Sequence, residues 1–374
     1  MRAVALVGLH VEERDVRRFE LPGVNVFCGN ELDPTDQPDA ALIFGGDGTV
    51  HRHLAGLALK QIPTLTVPVG SGNDFAQSIG IDKVATALEA WQRFVASGDN
   101  VRAIDLGTIQ SSEDDAGGKG TVALQSTATT ADLPPQFAQQ RREPGAPAEI
   151  GATKTAAPWR GESLETMHFV PSGPRRDLPQ MGPRIMQSQL RRAAEAQDEI
   201  GSTTVFGCIA GTGLDAAVNR LALKQSRWLR GHGGYVVALL QTLGSFQPPH
   251  IKVSVEDGGV WRTAIDERGF LIAAGNGPQY GHGMRLAHRA QMDDGLLDLC
   301  FVRLLSKMRL LRLFRVVYRG RHLGMKEVEY FQAARVRIET DPVSEVFADG
   351  EYICQTPVEI GVRTNALRVI VNPG

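Results

Sequence analysis

The sequence has neither a surplus of one charge nor a long hydrophobic run. Its 374 residues include 40 Lys and Arg against 42 Asp and Glu, for a formal net charge of −2. The charge of the whole chain therefore gives no reason to expect a nucleic-acid partner. No apolar segment approaches the ~18 residues of a membrane span, and the apolar start is too short for a signal peptide. These absences predict a soluble, cytoplasmic protein.

Cysteine is also scarce, and the commonest phosphate-binding loop is missing. The four cysteines are far apart and include no Cys-x-x-Cys pair; they are Cys28, Cys208, Cys300 and Cys354. This spacing predicts neither a disulfide framework nor a zinc site, and it favours reduced, buried thiols. The Gly-x-x-x-x-Gly-Lys-Ser/Thr loop of P-loop proteins does not occur. Any phosphate group must be held by other loops.

The length and the pattern of apolar runs predict two domains. The chain is long enough for two cores at about 100–200 residues per domain. In residues 1–110, short strands alternate with helical stretches, which is typical of a doubly wound α/β nucleotide-binding domain; they lie at 3–9, 24–28, 40–44, 50–59, 64–69 and 83–97. In residues 204–358, alternating strands predict an antiparallel β-sandwich for the substrate; they include 251–255, 270–274, 297–302 and 335–339. A last strand within 359–374 is expected to return to the first domain.

Residues 111–203 separate these domains and differ from both in composition. Ser, Ala, Gly, Pro, Gln and charged side chains dominate, as in the run 141–148. Such a segment buries too little apolar surface to offset the entropy lost when its backbone is ordered. We predict a disordered insertion, with at most a short helix near 187–197. A spacer is the favoured interpretation because loops accept insertions readily, and a regulatory role is the alternative.

Two glycine-rich loops follow strands of the predicted first domain. The first follows 40–44 and the second follows 64–69; they consist of Gly45, Gly46, Asp47, Gly48 and Thr49, and of Gly70, Ser71, Gly72, Asn73 and Asp74. Ligands of open α/β sheets bind at the carboxyl ends of strands, and glycine lets backbone N–H groups approach phosphate oxygens. One acid in each loop suits a magnesium–nucleotide complex. The two loops predict phosphate transfer from ATP.

Five segments together resemble the soluble bacterial diacylglycerol kinase family, which is related to sphingosine kinases and, more distantly, to NAD kinases. They are the two loops above, the stretch Gly-Asn-Gly-Pro-Gln-Tyr-Gly-His-Gly-Met at 275–284, the stretch Asp-Asp-Gly-Leu-Leu-Asp at 293–298, and Asp349-Gly350-Glu351. They occur in the family's order. The resemblance implies an ATP- and Mg²⁺-dependent kinase that phosphorylates the hydroxyl of diacylglycerol or a related lipid at a membrane surface. The product of diacylglycerol would be phosphatidate.

The resemblance also implies roles for single residues of the nucleotide and acceptor sites. Asp349 would be the base that takes the proton of the lipid hydroxyl, and Glu351 would help to orient metal and water. Asp47 and Asp74 would hold magnesium through water, and Ser71 would contact the nucleotide. Each assignment has a plainer alternative, because Asp-Gly is a strong hairpin signal and Asp beside Gly is common in turns and helix caps.

A further magnesium site is implied by the same resemblance. Its ligands would be the carboxylate of Asp294 and the backbone carbonyls of Gln291 and Leu296. Oxygen ligands with retained waters suit magnesium. Without the resemblance, Asp293-Asp294-Gly295 would be interpreted as an ordinary turn.

Three departures from the family pattern keep other functions open. The first strand is followed by Val7-Gly8-Leu9-His10-Val11 instead of the family's Asn-Pro-x-Ser/Ala-Gly loop, the segment before Gly45 is short, and Arg52 replaces a glutamate. The alternatives are an NAD kinase-like phosphotransferase and a catalytically silent lipid-binding regulator. The acceptor lipid and the formation of a homodimer also stay open. Four histidines show no metal-ligand spacing and receive no role; they are His51, His53, His282 and His288.

The clearest amphipathic stretch is 303–321. On a helical wheel four arginines share one face, and they are Arg309, Arg312, Arg315 and Arg319. The opposite face is apolar, with Leu310, Leu313 and Phe314 among its members. Such a helix could adsorb to anionic lipid headgroups and give transient membrane association. A surface helix that packs its leucines on the domain core is the alternative.

Overall fold

A computed structural model describes residues 1–9, 11–29, 31–32, 36–111, 203–224, 234–281 and 283–372. The disordered insertion predicted at 111–203 lies outside the described residues, apart from its two end positions. None of the helices in the described ranges combines the length and the apolar composition that a bilayer crossing requires.

The first part of the chain is a parallel sheet with helices. Strands β1 (Arg2–Val7), β2 (Asn25–Gly29), β3 (Ala40–Gly45) and β4 (Thr64–Pro68) lie in the order β2–β1–β3–β4, and each adjacent pair is parallel. The helices are α1 (Glu13–Arg17), α2 (Asp47–Lys60), α3 (Asp74–Ser78) and α4 (Val84–Ala96). All six residues of β3 are buried, which explains its continuous apolar sequence, because helices cover both faces of such a sheet.

The described C-terminal part is mainly antiparallel. Its strands are β5 (Val101–Ser111), β6 (Thr204–Phe206), β7 (Ile209–Gly213), β8 (His250–Asp257), β9 (Val260–Gly275), β10 (Leu297–Arg303), β11 (Val328–Ala333), β12 (Arg335–Asp341), β13 (Glu345–Ala348), β14 (Glu351–Gln355) and β15 (Val358–Ile370). Strand β9 pairs with β8 along its first half and with β7 and β10 along its second half. One long strand therefore passes through both layers of the sandwich.

Strand β15 connects the two parts. Its first half pairs with β12, and near its end Val369 pairs in parallel with Thr64 of β4. It also runs antiparallel to β5 over most of its length. The fold class predicted from the sequence is confirmed: a doubly wound α/β part is followed by a β-sandwich-like part.

In the described ranges, three helices cover one face of the sandwich. They are α5 (Leu214–Lys224), α6 (Gly234–Ser245) and α7 (Lys307–Val317), followed by a 3₁₀ turn at His322–Gly324. A core cluster joins these helices to β9 and β10, and a second cluster fills the space between the strands of the sandwich. Helix α7 is shorter than the predicted stretch 303–321. Its buried residues are Leu310, Leu313 and Val317, so the leucine face does pack on the core.

Candidate active site

The two glycine loops touch each other at the carboxyl edge of the parallel sheet. Because β3 and β4 are neighbours, the loops that follow them lie side by side. A Cβ atom on Gly70 would lie 2.4 Å from the Cα and 2.6 Å from the N of Gly46. Gly70 therefore has no room for a side chain, and a Cβ on Gly46 would be tight at 3.2 Å from the Cα of Gly70. The first loop also begins α2 at Asp47, earlier than the predicted start at residue 50.

Asn73 fixes the shape of the second loop. Its backbone is left-handed, with φ of 73°. Its amide side chain donates to the carbonyl of Gly70 at 2.8 Å and accepts the N–H of Gly70 at 3.0 Å. The side chain of Asn73 therefore makes its hydrogen bonds within the loop and does not cap α3. Ser71 lies exposed at the tip, where a ligand could reach its hydroxyl.

The carboxylates of Asp47 and Asp74 each bind a backbone N–H from another segment. Asp47 accepts the N–H of Phe75 at 3.0 Å, so it caps α3 from the adjacent loop. Asp74 is buried and accepts the N–H of Gly283 at 2.8 Å. These bonds hold the first loop, the second loop and the segment around Gly283 together.

Asp47, Asp74 and Asp349 form an acidic cluster. Burial raises the pKa of Asp47 to about 6, and the charges of Asp74 and Asp349 add to this rise. Burial also raises the pKa of the Cys208 thiol, and the charges of all three carboxylates raise it further. The acids therefore lie near Cys208 and near one another. Carboxylate and backbone oxygens are ligands that suit Mg²⁺, but in the described ranges no three of these side chains are already placed to hold a metal ion.

Asp349 occupies a hairpin turn and also belongs to this cluster. It lies between β13 and β14 with φ of 49°, followed by Gly350 with φ of 88°, which are the signs required of a type I′ turn. Its carboxylate accepts the N–H groups of Gly207, Cys208 and Ile209 at 2.7, 2.9 and 3.1 Å. The hairpin and the catalytic interpretations of this dipeptide are thus compatible, because the turn itself presents the carboxylate.

His51 is the residue of this cluster that the sequence analysis missed. Its Nδ1 lies 3.3 Å from Oδ2 of Asp349, which is 298 positions away. Burial lowers the pKa of His51, but the hydrogen bond and charge of Asp349 and the charge of Glu351 raise it more, so the net shift is upward. The sequence did contain one local indication that His51 belongs to the site: it follows Asp47 by one helical turn, so the two side chains must lie on the same face of α2.

Glu351 lies beside the first loop. Its side chain is exposed, and its Oε1 is 3.4 Å from the position that a Cβ on Gly48 would take. This location is consistent with the predicted contact to metal and water, which stays a prediction.

An apolar pocket opens next to the acidic cluster. It lies beneath α7 and is lined chiefly by Leu, Val, Met and Phe side chains, including Leu214, Val218, Met284, Leu310 and Leu313. Met284 follows Gly283, whose N–H binds Asp74. The charge of Asp74 also raises the pKa of Tyr318, just after α7, after the larger effect of burial. The pocket and the acids are therefore neighbours.

Two family models match consecutive parts of the chain. The diacylglycerol kinase catalytic domain matches residues 12–109, and the YegS C-terminal NAD kinase beta sandwich-like domain matches residues 208–371. The chain belongs to the diacylglycerol and lipid kinase family.

Curated relatives in this family are similar over about half of their length. A diacylglycerol kinase of Mycobacterium tuberculosis is 34% identical over 174 residues, which cover 46% of this chain and 54% of that protein. A probable YegS-like lipid kinase of Chromohalobacter salexigens is 30% identical over 146 residues, or 38% of this chain and 44% of that protein. The chain thus spans about half the length of the curated relatives it matches.

A solved structure shows the same fold as this family member. The crystal structure of a putative diacylglycerol kinase from Bacillus anthracis superposes with a TM-score of 0.58 and covers 100% of this chain and 95% of that chain. At 15% identity, the likeness concerns the fold alone.

In this lipid kinase family member, Asn276 supports the backbone that holds Asp349. Its buried side chain donates to the carbonyls of Asp105 and Gly207 at 2.9 and 2.8 Å. Its own N–H donates to the carbonyl of Cys208 at 2.8 Å. Asn276, in the Gly-Asn pair of the family pattern, therefore fixes the backbone at Gly207 and Cys208, whose N–H groups bind Asp349.

The residues predicted to form a further magnesium site lie on a separate turn. Asp294 is exposed; its carboxylate accepts the N–H of Leu296 at 3.0 Å and the amide of Gln332 at 3.3 Å. Gln291 is exposed nearby, and Gly295 donates to Asp105 at 2.8 Å. The described ranges contain no group of three or more His, Cys, Asp and Glu side chains placed to hold a metal ion. The site at Gln291, Asp294 and Leu296 stays a prediction.

Proposed function

We propose that this protein is an ATP-dependent lipid kinase that transfers the γ-phosphate of ATP to the hydroxyl of diacylglycerol or a related lipid, forming phosphatidate from diacylglycerol. The observation that carries the proposal is the position of an apolar pocket directly beside an acidic cluster and two glycine loops. The loops suit a polyphosphate, and the pocket suits a hydrocarbon chain. A hydroxyl at the head of such a chain would lie between them.

The nucleotide half of the site would work through backbone groups and the N-terminus of α2. The phosphates of ATP would lie against residues 45–49 and 70–74, where glycine N–H groups and the dipole of a 14-residue helix favour negative charge. Asp47 and Asp74 would hold Mg²⁺, which would neutralise phosphate charge when bound. Glu351 and Ser71 lie at the rim, where they would contact metal-bound water and nucleotide.

The lipid half would work by burial of the acyl chain. Pocket-lining side chains such as Leu310 and Leu313 would remove methylene groups from water, at about 0.8 kcal/mol for each. Because the pocket opens beside Gly283 and Asp74, the hydroxyl would point towards Asp349. The pocket walls are apolar except for the buried carboxyl group of Asp215, so they favour an acyl chain over a polar ligand.

The protein would reach its substrate by adsorbing to the membrane surface. Arg312 and Arg315 on α7, and Arg319 two residues beyond its end, are exposed and have no ion-pair partner among the described residues, whereas Arg309 is paired with Glu327 at 2.8 Å. Met308 is exposed one helical turn before Arg312, and Leu304, three residues before the start of α7, is exposed as well. We name Leu304, Met308, Arg312, Arg315 and Arg319 the α7 outer face. Its chemistry suits an anionic leaflet.

The direct test is transfer of labelled γ-phosphate to a panel of acceptors. The panel contains diacylglycerol, phosphatidylglycerol, a sphingoid base and undecaprenol in mixed micelles, and NAD in buffer. Label in a chloroform-extractable product is expected. Label only in NAD would identify an NAD kinase-like enzyme, and ATP binding with no transfer to any acceptor would indicate a silent regulator.

A pocket variant links the activity to the described geometry. Leu310→Trp should fill the pocket and lower transfer to long-chain lipid while ATP binding is retained. The matched control is Leu240→Trp on α6, because Leu240 is 52% exposed and does not line the pocket. Equal activity of both variants on long-chain lipid would remove the pocket from the proposal.

A further inference from the structure

Two histidines join the helix above the apolar pocket to one wall of the pocket. His322 begins the 3₁₀ turn that follows α7, and His288 lies in the segment 284–290, which supplies Met284 and Leu286 to the pocket lining. The ring centroids of the two histidines are 6.0 Å apart, with an interplanar angle of 61°. A Cβ on Gly320 would lie 3.1 Å from Cγ of His288, so the turn after α7 packs directly on this ring.

His322 is completely buried and has a defined tautomer. Its Nε2 lies 3.0 Å from the carbonyl oxygen of Leu286. Because a carbonyl oxygen only accepts hydrogen bonds, Nε2 must carry a proton. In the neutral ring, Nδ1 is then a bare lone pair, and it has no hydrogen-bond partner among the described residues. A second proton on this ring would create a buried N–H group without an acceptor.

His288 is only partly exposed, and its Nδ1 is buried without a hydrogen-bond partner in the same ranges. Burial lowers the pKa of His288, and the charges of Arg289 and Arg285 lower it further, against the opposing charge of Asp298 on β10. The carboxylate of Asp298 is already bound by the hydroxyl of Tyr330 from β11, at 2.7 Å. The surroundings of this ring therefore disfavour a positive charge.

The two rings also disfavour protonation of each other. Burial lowers the pKa of His322, and the charge of His288 lowers it further, although the bond to the carbonyl of Leu286 opposes this. Protonation of both rings would place two positive charges about one ring contact apart, each with an N–H group that lacks an acceptor. We propose that His288 and His322 form an acid-sensitive latch, which holds the turn after α7 against the segment 284–290 while both rings are neutral and releases it when they take up protons.

The direction of the effect follows from the proton balance. When the latch is open, both rings face water and have the ordinary histidine pKa of about 6.5; when it is closed, both pKa values are lower. The open form therefore binds more protons, so the closed form is fully favoured above about pH 6.5 and loses its advantage as the pH falls below that value. Between pH 7.5 and 5.5, each histidine can raise the open population by up to about tenfold.

The latch controls one end of the pocket. Leu310, Leu313 and Val317 hold α7 on the core, so release of the rings frees the turn at 318–324 before it frees the helix. The segment 284–290 begins next to Gly283, whose N–H binds Asp74, so the released wall adjoins the acidic cluster. The latch does not depend on the proposed kinase function, because the protein alone is enough to test it.

The experiment is hydrogen–deuterium exchange of the full chain at pH 7.5 and 5.5, corrected for the intrinsic exchange rate. Exchange at 284–290 and 318–324 should rise tenfold to a hundredfold at pH 5.5, while the buried strand β3 keeps its protection. His288→Phe keeps an aromatic ring that cannot be protonated, and His322→Gln keeps an N–H group for the carbonyl of Leu286. Each variant should reduce the rise to tenfold or less, and the double variant should abolish it.

The matched control is His250→Gln. His250 lies at the start of β8 and pairs with Asp266 at 3.6 Å, with about half of its side chain exposed. This variant loses one histidine outside the latch and should keep the full response to acid.

Three results would overturn the latch. They are equal protection of the wild-type segments at both pH values, an acid response that persists in the double variant, and a loss of protection at pH 5.5 that is equally large in β3. If His322→Gln does not fold, His288→Phe decides, because an unchanged acid response in that variant would exclude the pair. None of these results depends on phosphate transfer to a lipid, so the latch and the proposed function can fail separately.

Discussion

At the scale of single residues, Asp47 combines a stabilising contact with an unfavourable charge. Its carboxylate caps α3 through the N–H of Phe75 at 3.0 Å. Burial and the charges of Asp74 and Asp349 nevertheless raise its pKa to about 6. A carboxyl group whose pKa is higher in the folded state stabilises the fold at low pH, where it is protonated. That contribution is lost as the pH rises through 6.

Asp47→Asn should therefore stabilise the metal-free protein at pH 8. The amide oxygen can still accept the N–H of Phe75, and the charge is gone. A pKa near 6 against an ordinary value near 4 corresponds to a gain of up to about 3 kcal/mol in the free energy of unfolding. No gain is expected at pH 4, and kinase activity should fall. Urea unfolding at both pH values measures this, with exposed Asp257→Asn as the control for net charge. A variant less stable than wild type at both pH values would contradict the argument.

Single residues also show which features of the site could be predicted from the sequence. The dipeptide Asp349-Gly350 indicated both a hairpin turn and a base, and the structure contains the turn with the carboxylate directed at the cluster. The contact with His51 could not be foreseen, because it joins residues 298 positions apart. Sequence spacing reports neighbours on one helix or strand, whereas this pair depends on how the sandwich meets the parallel sheet.

At the scale of elements, the two glycine loops depend on close contact between their backbones. Gly70→Ala would place a Cβ 2.4 Å from the Cα of Gly46, so the loops must separate. We expect a loss of nucleotide affinity of tenfold or more, measured by titration calorimetry, together with lower stability. Gly56→Ala is the matched control, because this exposed glycine of α2 has no atom within 4 Å of the added Cβ. It should stabilise the helix by about 1 kcal/mol. Equal nucleotide affinity in both variants would show that the contact is not needed.

Element types were predictable from apolar patterns, whereas element ends were less so. The run 40–44 predicted β3 almost to the residue, since a buried parallel strand is a continuous apolar segment. Helix α2 begins at Asp47, whereas the sequence predicted a start at residue 50. The prediction was late because a glycine-rich segment is typical of a loop, even where an acidic residue within it can start a helix. Helix α7 ends earlier than its amphipathic pattern, because the pattern continues into residues that belong to a turn.

Strands β5 and β6 predict that the segment between them can be replaced. They pair antiparallel, with Ile109 opposite Thr204, and Gln110 donates to Thr203 at 3.1 Å. The two ends of the segment are therefore adjacent, and a short connection can close them. Replacement of residues 113–200 with a Gly/Ser linker should leave cooperative thermal unfolding and lipid phosphorylation intact. Loss of cooperative unfolding would show that the segment contributes to a core.

At the scale of the whole molecule, long strands join the two parts into one sheet. Val369 of β15 pairs with Thr64 of β4, and other residues of β15 pair with β12. A sequence analysis can propose that a last strand returns to the first domain, but it cannot specify the partner, because a pairing between residues about 300 positions apart has no local signal. This continuity keeps the glycine loops and the pocket in a fixed relation, which phosphoryl transfer requires.

The α7 outer face belongs to the same scale, because under the proposed function it would set how the molecule meets a membrane. The net charge is −2, so adsorption to an anionic leaflet must come from a local surface. Lys307 donates to the carbonyl of Gly244 at 2.9 Å and ties α7 to α6. The buried leucines fix the helix from below, and its exposed arginines are thus held on a rigid support above the pocket.

Charge reversal of Arg312 and Arg315 to Glu should weaken binding to anionic vesicles. Each basic residue near such a surface contributes about 1 kcal/mol, so removal of two should lower the affinity at least roughly thirty-fold. Rising salt should weaken wild-type binding as well, because surface charges are screened over ~10 Å at 0.1 M. Activity on a short-chain lipid in detergent should survive, since neither side chain lines the pocket.

The matched control reverses Arg14 and Arg262, which lie off α7 and give the same change in net charge. Vesicle sedimentation that shows no loss for the α7 variant, or an equal loss for the control, would place the docking surface elsewhere.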